Sequence, residues 1–377
     1  MNQQPVKVRD SARTLLAVLC ILTTMLDSGG EIGLRIFGLA GLLVLCVGQP
    51  VPPVRWKVLL IWLSVVMLMV PSIFRAVFGG VDLKNIIIWT YPFLAFPIIY
   101  LVARSARICI DQFVWAGLCF ALVIIALFFG RITGNASLMW LNDALTSGAS
   151  GFFNQKQVFF KDAMPVVYFQ GTLSLVFVSI LAFGRGRYLA FLLMLVALVL
   201  APSRFGVTVS LVFAYLIVLV RLSSWRLRIV MLVFTIGFVL AAGLFAPSGY
   251  RDMFNGESAG SLVRIGHVHS LLETFENDIS KLLFGSGPGT EFYSAGFGEY
   301  TDNIEISQLE LIRKYGIFFF LLVTVLFTSV FIKLWRAGMQ SYALSFAAHF
   351  FVATSNPVLL SAVFLLFFST VLLETEN

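Results

Sequence analysis

A chain of 377 residues that is 59% hydrophobic and 12% charged, with a mean hydropathy of +0.94, is too apolar for a soluble globular domain. The formal net charge of +7 is dispersed through short segments between apolar tracts, which excludes nucleic acid as the partner of a basic face. Three histidines cannot build a histidine-rich metal cage. Cys20, Cys46, Cys109 and Cys119, in or at the edge of apolar tracts, show neither a disulfide framework nor metal-ligand spacing.

What remains is an all-α fold, a polytopic membrane helix bundle read as one integral membrane domain over residues 1–377. A spanning helix needs roughly 20 apolar residues, and the sequence offers about twelve candidate stretches. Residues 14–27, 32–48, 57–74, 85–103 and 112–130 come before a first polar segment. The stretches 164–183, 188–202, 205–220 and 229–246 lie between it and a second polar segment, and 306–332, 340–353 and 358–373 close the chain. The pairs within 188–220 and 340–373 can also be counted as single spans. Counting twelve, the basic residues of every second loop fall on one side: Lys7, Arg9 and Arg13; Arg55 and Lys57; Arg104 and Arg107; Arg185 and Arg187; Arg221, Arg226 and Arg228; Lys333 and Arg336. The positive-inside rule makes that side cytoplasmic, with both termini on it, and no cleavable signal peptide is expected.

Two polar segments then face outward. The first, 131–163, mixes Gly, Ser, Asn and aromatics with Arg131, Lys156 and Lys161. It reads as an interfacial segment, a lid or a tether, and Arg131 and Lys161 are candidate substrate-binding cations. After it, Ser203-Arg204 sits between two spans, on the outward side. Such an arginine either snorkels to lipid headgroups or offers its bidentate fork to phosphate oxygens.

The second segment, 247–304, is a large acidic loop in which eight carboxylates accompany only Arg251, Arg264 and Lys281. Loops of this length are more often functional than connective. Residues 261–283 place Leu262, Ile265, Leu272, Phe275, Ile279 and Leu282 at helical spacing, an amphipathic helix lying on the membrane surface or packed on the bundle. Arg264 and His267 share one face of it, and His269 is turned away. Arg264 either pairs with a carboxylate such as Glu273 or Glu276 or, with Arg204, stabilises charge on an anionic leaving group. The glycines of GSGPG, 285–289, form a turn; contact with a phosphate through backbone N–H groups is the other reading, although no Lys-Ser/Thr follows.

At the loop exit, TDNIEISQLELIRKYG covers 301–316. Glu310 pairs with Arg313 or Lys314 as a structural device for holding charge at membrane depth. Asp302 and Asn303 are either helix caps or substrate contacts. Glu305 has no helical partner on its C-terminal side, and a partly desolvated carboxylate there would hold a proton readily enough to act as a general base.

With these residues in view, the chain resembles the superfamily of O-antigen polymerases and ligases, bacterial integral-membrane enzymes acting on undecaprenyl-diphosphate-linked glycans. SRFG at 203–206, LVRIGHVHSLL followed by KLLFGSGPG, DNIEISQLELIRKYG and SNPVLLS at 355–361 carry the likeness. The resemblance implies that Arg204 and Arg264 bind the donor diphosphate. The ligase branch has a histidine eleven positions before the glycine that here is Gly316; this sequence has Glu305 there, followed by Ile306, which favours the polymerase branch.

By that resemblance the chain is a metal-independent, inverting membrane glycosyltransferase without a cofactor, in the bacterial inner membrane, its active site facing the periplasm. It would transfer a growing polysaccharide from undecaprenyl diphosphate to a lipid-linked repeat unit, with Glu305, Arg264 and Arg204 catalytic. Asp302, Asn303 and His267 would join Arg131 and Lys161 in binding substrate. Lipid-linked oligosaccharide and polysaccharide, the bilayer and a chain-length regulator are the partners it brings into view. The alternatives are an O-antigen ligase acting on lipid A-core and a flippase or other transporter of lipid-linked oligosaccharide.

Overall fold

Apolar runs bounded by polar or glycine-containing breaks can satisfy their backbone groups in lipid only by closing helical hydrogen bonds, and the computed structural model follows that rule. It describes residues 4–27, 34–49, 55–138, 140, 167, 169–201, 203–222, 224–233, 259–304, 306–354, 359 and 361–374. The described residues are about 81% helical. In the N-terminal half lie α1 (Gln4–Leu26), α2 (Leu34–Cys46), α3 (Trp56–Phe78), α4 (Leu83–Ser105) and α5 (Ile110–Thr133). A 3-10 turn at Gln170–Leu173 leads into α6 (Ser174–Gly184), followed by α7 (Tyr188–Leu200) and α8 (Arg204–Arg221). Then come α9 (Ala259–Asn277), α10 (Ile279–Phe284), a hairpin of β1 (Phe292–Ser294) and β2 (Glu299–Thr301), α11 (Ser307–Tyr315), α12 (Ile317–Arg336), α13 (Gln340–Val352) and α14 (Ala362–Glu374). The hairpin, pairing Tyr293 with Tyr300, departs from a purely helical expectation.

The count of about twelve spans is corrected. Among the described residues five helices, α3, α4, α5, α8 and α12, are long and apolar enough to cross a membrane. The difference is one of length. Helices α2, α7, α13 and α14 have 13 residues each, about 20 Å of helix against a hydrocarbon core of about 30 Å. The tract 306–332 is not one span but two helices, because Gly316, at φ +87°, breaks it. The segments 141–166 and 234–258, with Lys156, Lys161 and Arg251, lie outside the described residues, as do Glu305 and most of SNPVLLS.

The bundle has two chemically distinct ends. At one, Asp111 in the first turn of α5 pairs with Arg185 and, at 2.8 Å, with Arg187, both in the α6–α7 turn. Arg185 also bonds the Tyr342 hydroxyl at the start of α13, and Arg221 at the end of α8 bonds the Gly184 carbonyl. Helices α8 and α13 therefore run antiparallel, and the rings of Phe213 and Phe351 meet further along them at 5.6 Å. The starts of α8 and α11 and the ends of α5 and α13 fall at the other end, where Ser307 N–H donates to Ala353 O at 3.0 Å. Between the two ends is an apolar core rich in stacked aromatics, with His349 buried flat against Phe364 at 3.7 Å.

A smaller core of Leu271, Phe275, Phe292 and Ile304 holds α9 and the hairpin against α11. Here two backbones touch: a Cβ on Gly296 would meet the Val263 carbonyl oxygen of α9 at 2.1 Å. Because that obstacle is main chain, Gly296→Ala is expected to destabilise the hairpin by about 1–3 kcal/mol. Thermal unfolding in detergent reads this as a lower apparent melting temperature.

Candidate functional site

Helix α11 presents three charges to one face, since residues three and four apart are helical neighbours. Arg313 grips Glu310 with both ends of its fork, Nε to Oε2 and Nη2 to Oε1, each at 2.8 Å, and Lys314 Nζ lies 2.5 Å from Oε1. All three are buried, Arg313 and Lys314 almost completely. The expected structural pairing of Glu310 is thus realised with both cations.

Arg313 spends its remaining donors on the loop. Nη1 donates to the Thr290 carbonyl at 2.7 Å and Nη2 to the Asp302 carbonyl at 2.5 Å, while the guanidinium carbon sits 4.7 Å from the centre of the Phe292 ring. The GSGPG turn completes the attachment: Ser286 and Gly287 donate their N–H groups to the carbonyls of Arg313 and Lys314 at 2.6 and 3.1 Å. Those two amides are committed to the end of α11, which favours the turn over the phosphate-contact reading of this segment. From α3, Arg75 bonds the Gly285 carbonyl at 2.7 Å and Ser280 Oγ at 2.9 Å.

Burial alone would raise the Glu310 carboxyl, but Arg313 and Lys314 outweigh it and hold the group below its ordinary value. For Lys314, burial dominates. It pushes the ammonium down to about 7 against the opposing attraction of Glu310, and Arg313 adds to the lowering. The lysine lies over the face of Trp89, 2.7 Å from the ring centre.

The sequence-derived candidates fall as follows. Asp302 is half-buried and accepts from Trp89 Nε1–H at 3.4 Å. Asn303 donates its N–H to Thr301 Oγ1 at 3.2 Å, and its buried Oδ1 has no hydrogen-bond partner among the described residues. Neither residue caps α11, whose N-cap is Ile306, so the capping alternative is set aside. Arg264 is half-buried on α9. On that helix His267 is fully buried, its Nδ1 2.6 Å from Ser294 Oγ and its ring edge-on to Phe297 at 4.5 Å. That pins the hairpin to α9, so a substrate could reach His267 only if the hairpin moved. His269 is exposed, as its place on the helix requires.

The helix expected over 261–283 is present but divided at Asp278, which caps α10 by accepting from Ser280 N–H at 3.0 Å. Only part of its predicted apolar stripe is the packed face: Phe275 is in the small core and Leu282 packs against it. The other members of the stripe, Leu262, Ile265, Leu272 and Ile279, are exposed, and Leu271, outside the stripe, is inside. Arg204 opens α8 and Arg131 lies in the last turn of α5, each half-buried, and both belong to the end of the bundle that carries α11. The structure thus brings Arg131, Arg204, Asp302 and Asn303 to one end, with Arg264 on the helix packed against Ile304. Glu305 and Lys161 lie outside the described residues. Among the described residues no three His, Cys, Asp or Glu side chains gather as a metal site.

Sequence reasoning missed Arg75, Trp89 and Thr290. Arg75 carried a usable signal, a lone cation near the C-terminal end of a long apolar tract. Trp89 and the Thr290 carbonyl carried none.

Arg313→Met would leave the buried Glu310 carboxylate with Lys314 alone and release two loop carbonyls, an expected loss of about 3–5 kcal/mol. Lys314→Met removes a cation whose burial is costly while Arg313 still pairs with Glu310, and should be stabilising near pH 7. Because the folded lysine binds its proton more weakly than the unfolded one, the unfolded chain carries more protons between about pH 7 and the ordinary lysine range. The lysine's contribution to stability therefore rises with pH across that window. Apparent melting temperatures of wild type and Lys314→Met, compared from pH 7 to 10, should converge as pH rises. No protein-family model matches this chain, and no curated protein is significantly similar to it.

Proposed function

We propose that this chain is a membrane glycosyltransferase that lengthens a polysaccharide by moving the growing glycan from its lipid diphosphate to a lipid-linked repeat unit. The observation that carries this reading is the gathering of Arg131, Arg204, Asp302 and Asn303 at one end of an apolar bundle, with Arg264 on the helix packed beside them. The likeness of SRFG, LVRIGHVHSLL and DNIEISQLELIRKYG to the polymerase and ligase superfamily supports the same assignment.

In this mechanism Arg204 and Arg264 take the diphosphate oxygens, where bidentate guanidinium contacts stabilise the charge that grows as the glycosidic bond to phosphate breaks. Glu305 accepts the proton of the acceptor hydroxyl as its oxygen bonds the anomeric carbon from the opposite face, inverting that centre. Asp302 and Asn303 supply oxygen acceptors for sugar hydroxyls. The lipid diphosphate leaves with the electron pair, and neither a metal nor a cofactor takes part. The enzyme would sit in the bacterial inner membrane with this end toward the periplasm, where a chain-length regulator could meet it. Glutamate in place of the ligase histidine favours polymerisation over ligation.

Surface glycan from a deletion strain tests this directly. A ladder that collapses to one repeat unit, restored by wild type but not by Glu305→Gln or Arg264→Ala at equal protein level, is the expected outcome. Complete loss of surface glycan points to ligation or flipping, and restoration by both variants removes these residues from the site.

A further inference from the structure

Asp302 is held at two points, its main chain and its carboxylate. Its own main-chain carbonyl is fixed by Arg313 Nη2 at 2.5 Å, and its Oδ2 accepts from Trp89 Nε1–H at 3.4 Å. Trp89 is itself fixed at two points. Its carbonyl accepts from the Tyr315 hydroxyl at 2.7 Å, and its ring face takes the Lys314 ammonium. A cation over an indole is attracted by the ring quadrupole, more strongly where water is excluded, and Lys314 is 1% exposed.

Charge balance ties the two ends of this chain together. Arg313 and Lys314 bring two positive charges, Glu310 supplies one negative, and the carboxylate of Asp302 supplies the second. Glu310 is buried and fully engaged by both cations, whereas Asp302 is half-buried and reachable. Of the four, only Asp302 can meet a ligand while answering to the buried cations behind it. Other charged groups around Lys314 are directed elsewhere: Arg75 of α3 to Gly285 and Ser280, and Lys281 of α10 toward Asp278.

We infer that Trp89 is a positioning residue that aims the Asp302 carboxylate at a ligand hydroxyl, and that the Lys314 ammonium on the indole face keeps Trp89 in that position. The ligand, on the function proposed above, is the acceptor sugar; that part rests on the proposed reading. The coupling among Lys314, Trp89 and Asp302 does not. When Lys314 loses its proton the indole loses its cation, its N–H is freed from Asp302, and the carboxylate loses its aim.

Tryptophan emission of the full-length protein in detergent, taken as wild type minus Trp89→Phe across pH 5.5–9, isolates this indole. An ammonium against an indole quenches it, so the difference signal should rise with a midpoint near the value of about 7 set by burial of Lys314. Lys314→Met should abolish the transition. Asp302→Asn, which removes an anion that favours the ammonium, should move the midpoint to lower pH. A difference signal flat with pH, or a midpoint unmoved by Asp302→Asn, overturns the coupling whatever the enzyme does. In cells, Trp89→Phe keeps a ring under Lys314 but lacks the N–H, and should shorten the glycan ladder at unchanged protein level. An unshortened ladder overturns the aiming role of Trp89. Should deletion of the gene itself leave the ladder intact, the polymerase reading fails while the emission result stands.

Discussion

The attachment of the loop to α11 depends on the pairing of Arg313 with Glu310. Removing two charges from water costs several kcal/mol per ion, and the pair repays it only when geometry is good and every leftover donor is satisfied. Here both conditions hold: the fork is bidentate, and the other guanidinium donors reach the carbonyls of Thr290 and Asp302. A single side chain thereby ties the hairpin, the loop exit and α11 into one unit. Replacing Arg313 with lysine would not reproduce this, because a compact ammonium cannot span three acceptors in one plane.

The second constraint is the bilayer. Backbone groups in hydrocarbon must be satisfied within the segment, so charged chemistry is pushed to the helix ends, and this chain divides it unequally. One end carries a clasp of Asp111 with Arg185 and Arg187, joined by Tyr342 and by Arg221 on Gly184. The other carries the buried triad of α11 together with the less buried Arg131, Arg204, Asp302 and Asn303. The clasp is half-exposed throughout, whereas the α11 end sets a closed, buried ion cluster behind half-exposed groups. The proposed transferase uses the α11 end.

Much of this was legible in the sequence, for physical reasons that differ from element to element. Apolar tracts announced a helical membrane protein, and the spacing of Glu310, Arg313 and Lys314 announced their pairing, because both are local properties of a helix. The number of spans was not legible: a hydropathy window cannot tell a 13-residue helix from a full crossing, and Gly316 divides a tract that reads as continuous. The apolar stripe of α9 misled for a related reason, since Leu262 and Ile265 have the period of a packed face yet lie exposed while His267 is inside. The roles of Trp89 and Thr290 depend on chain segments some 200 and 20 residues away from Asp302 and Arg313 along the sequence, a relation no local pattern contains. Arg264 and Asp302 stood out because charge is scarce in such a chain.

Hydrogen exchange of the wild-type protein and Arg313→Met, read peptide by peptide, tests the organising role of this arginine most directly. The account predicts that amides across residues 286–301 lose protection in the variant while those of α5 and α6 are unchanged, since only the loop hangs on Arg313. Unchanged protection over 286–301, or an equal loss throughout the bundle, would contradict it.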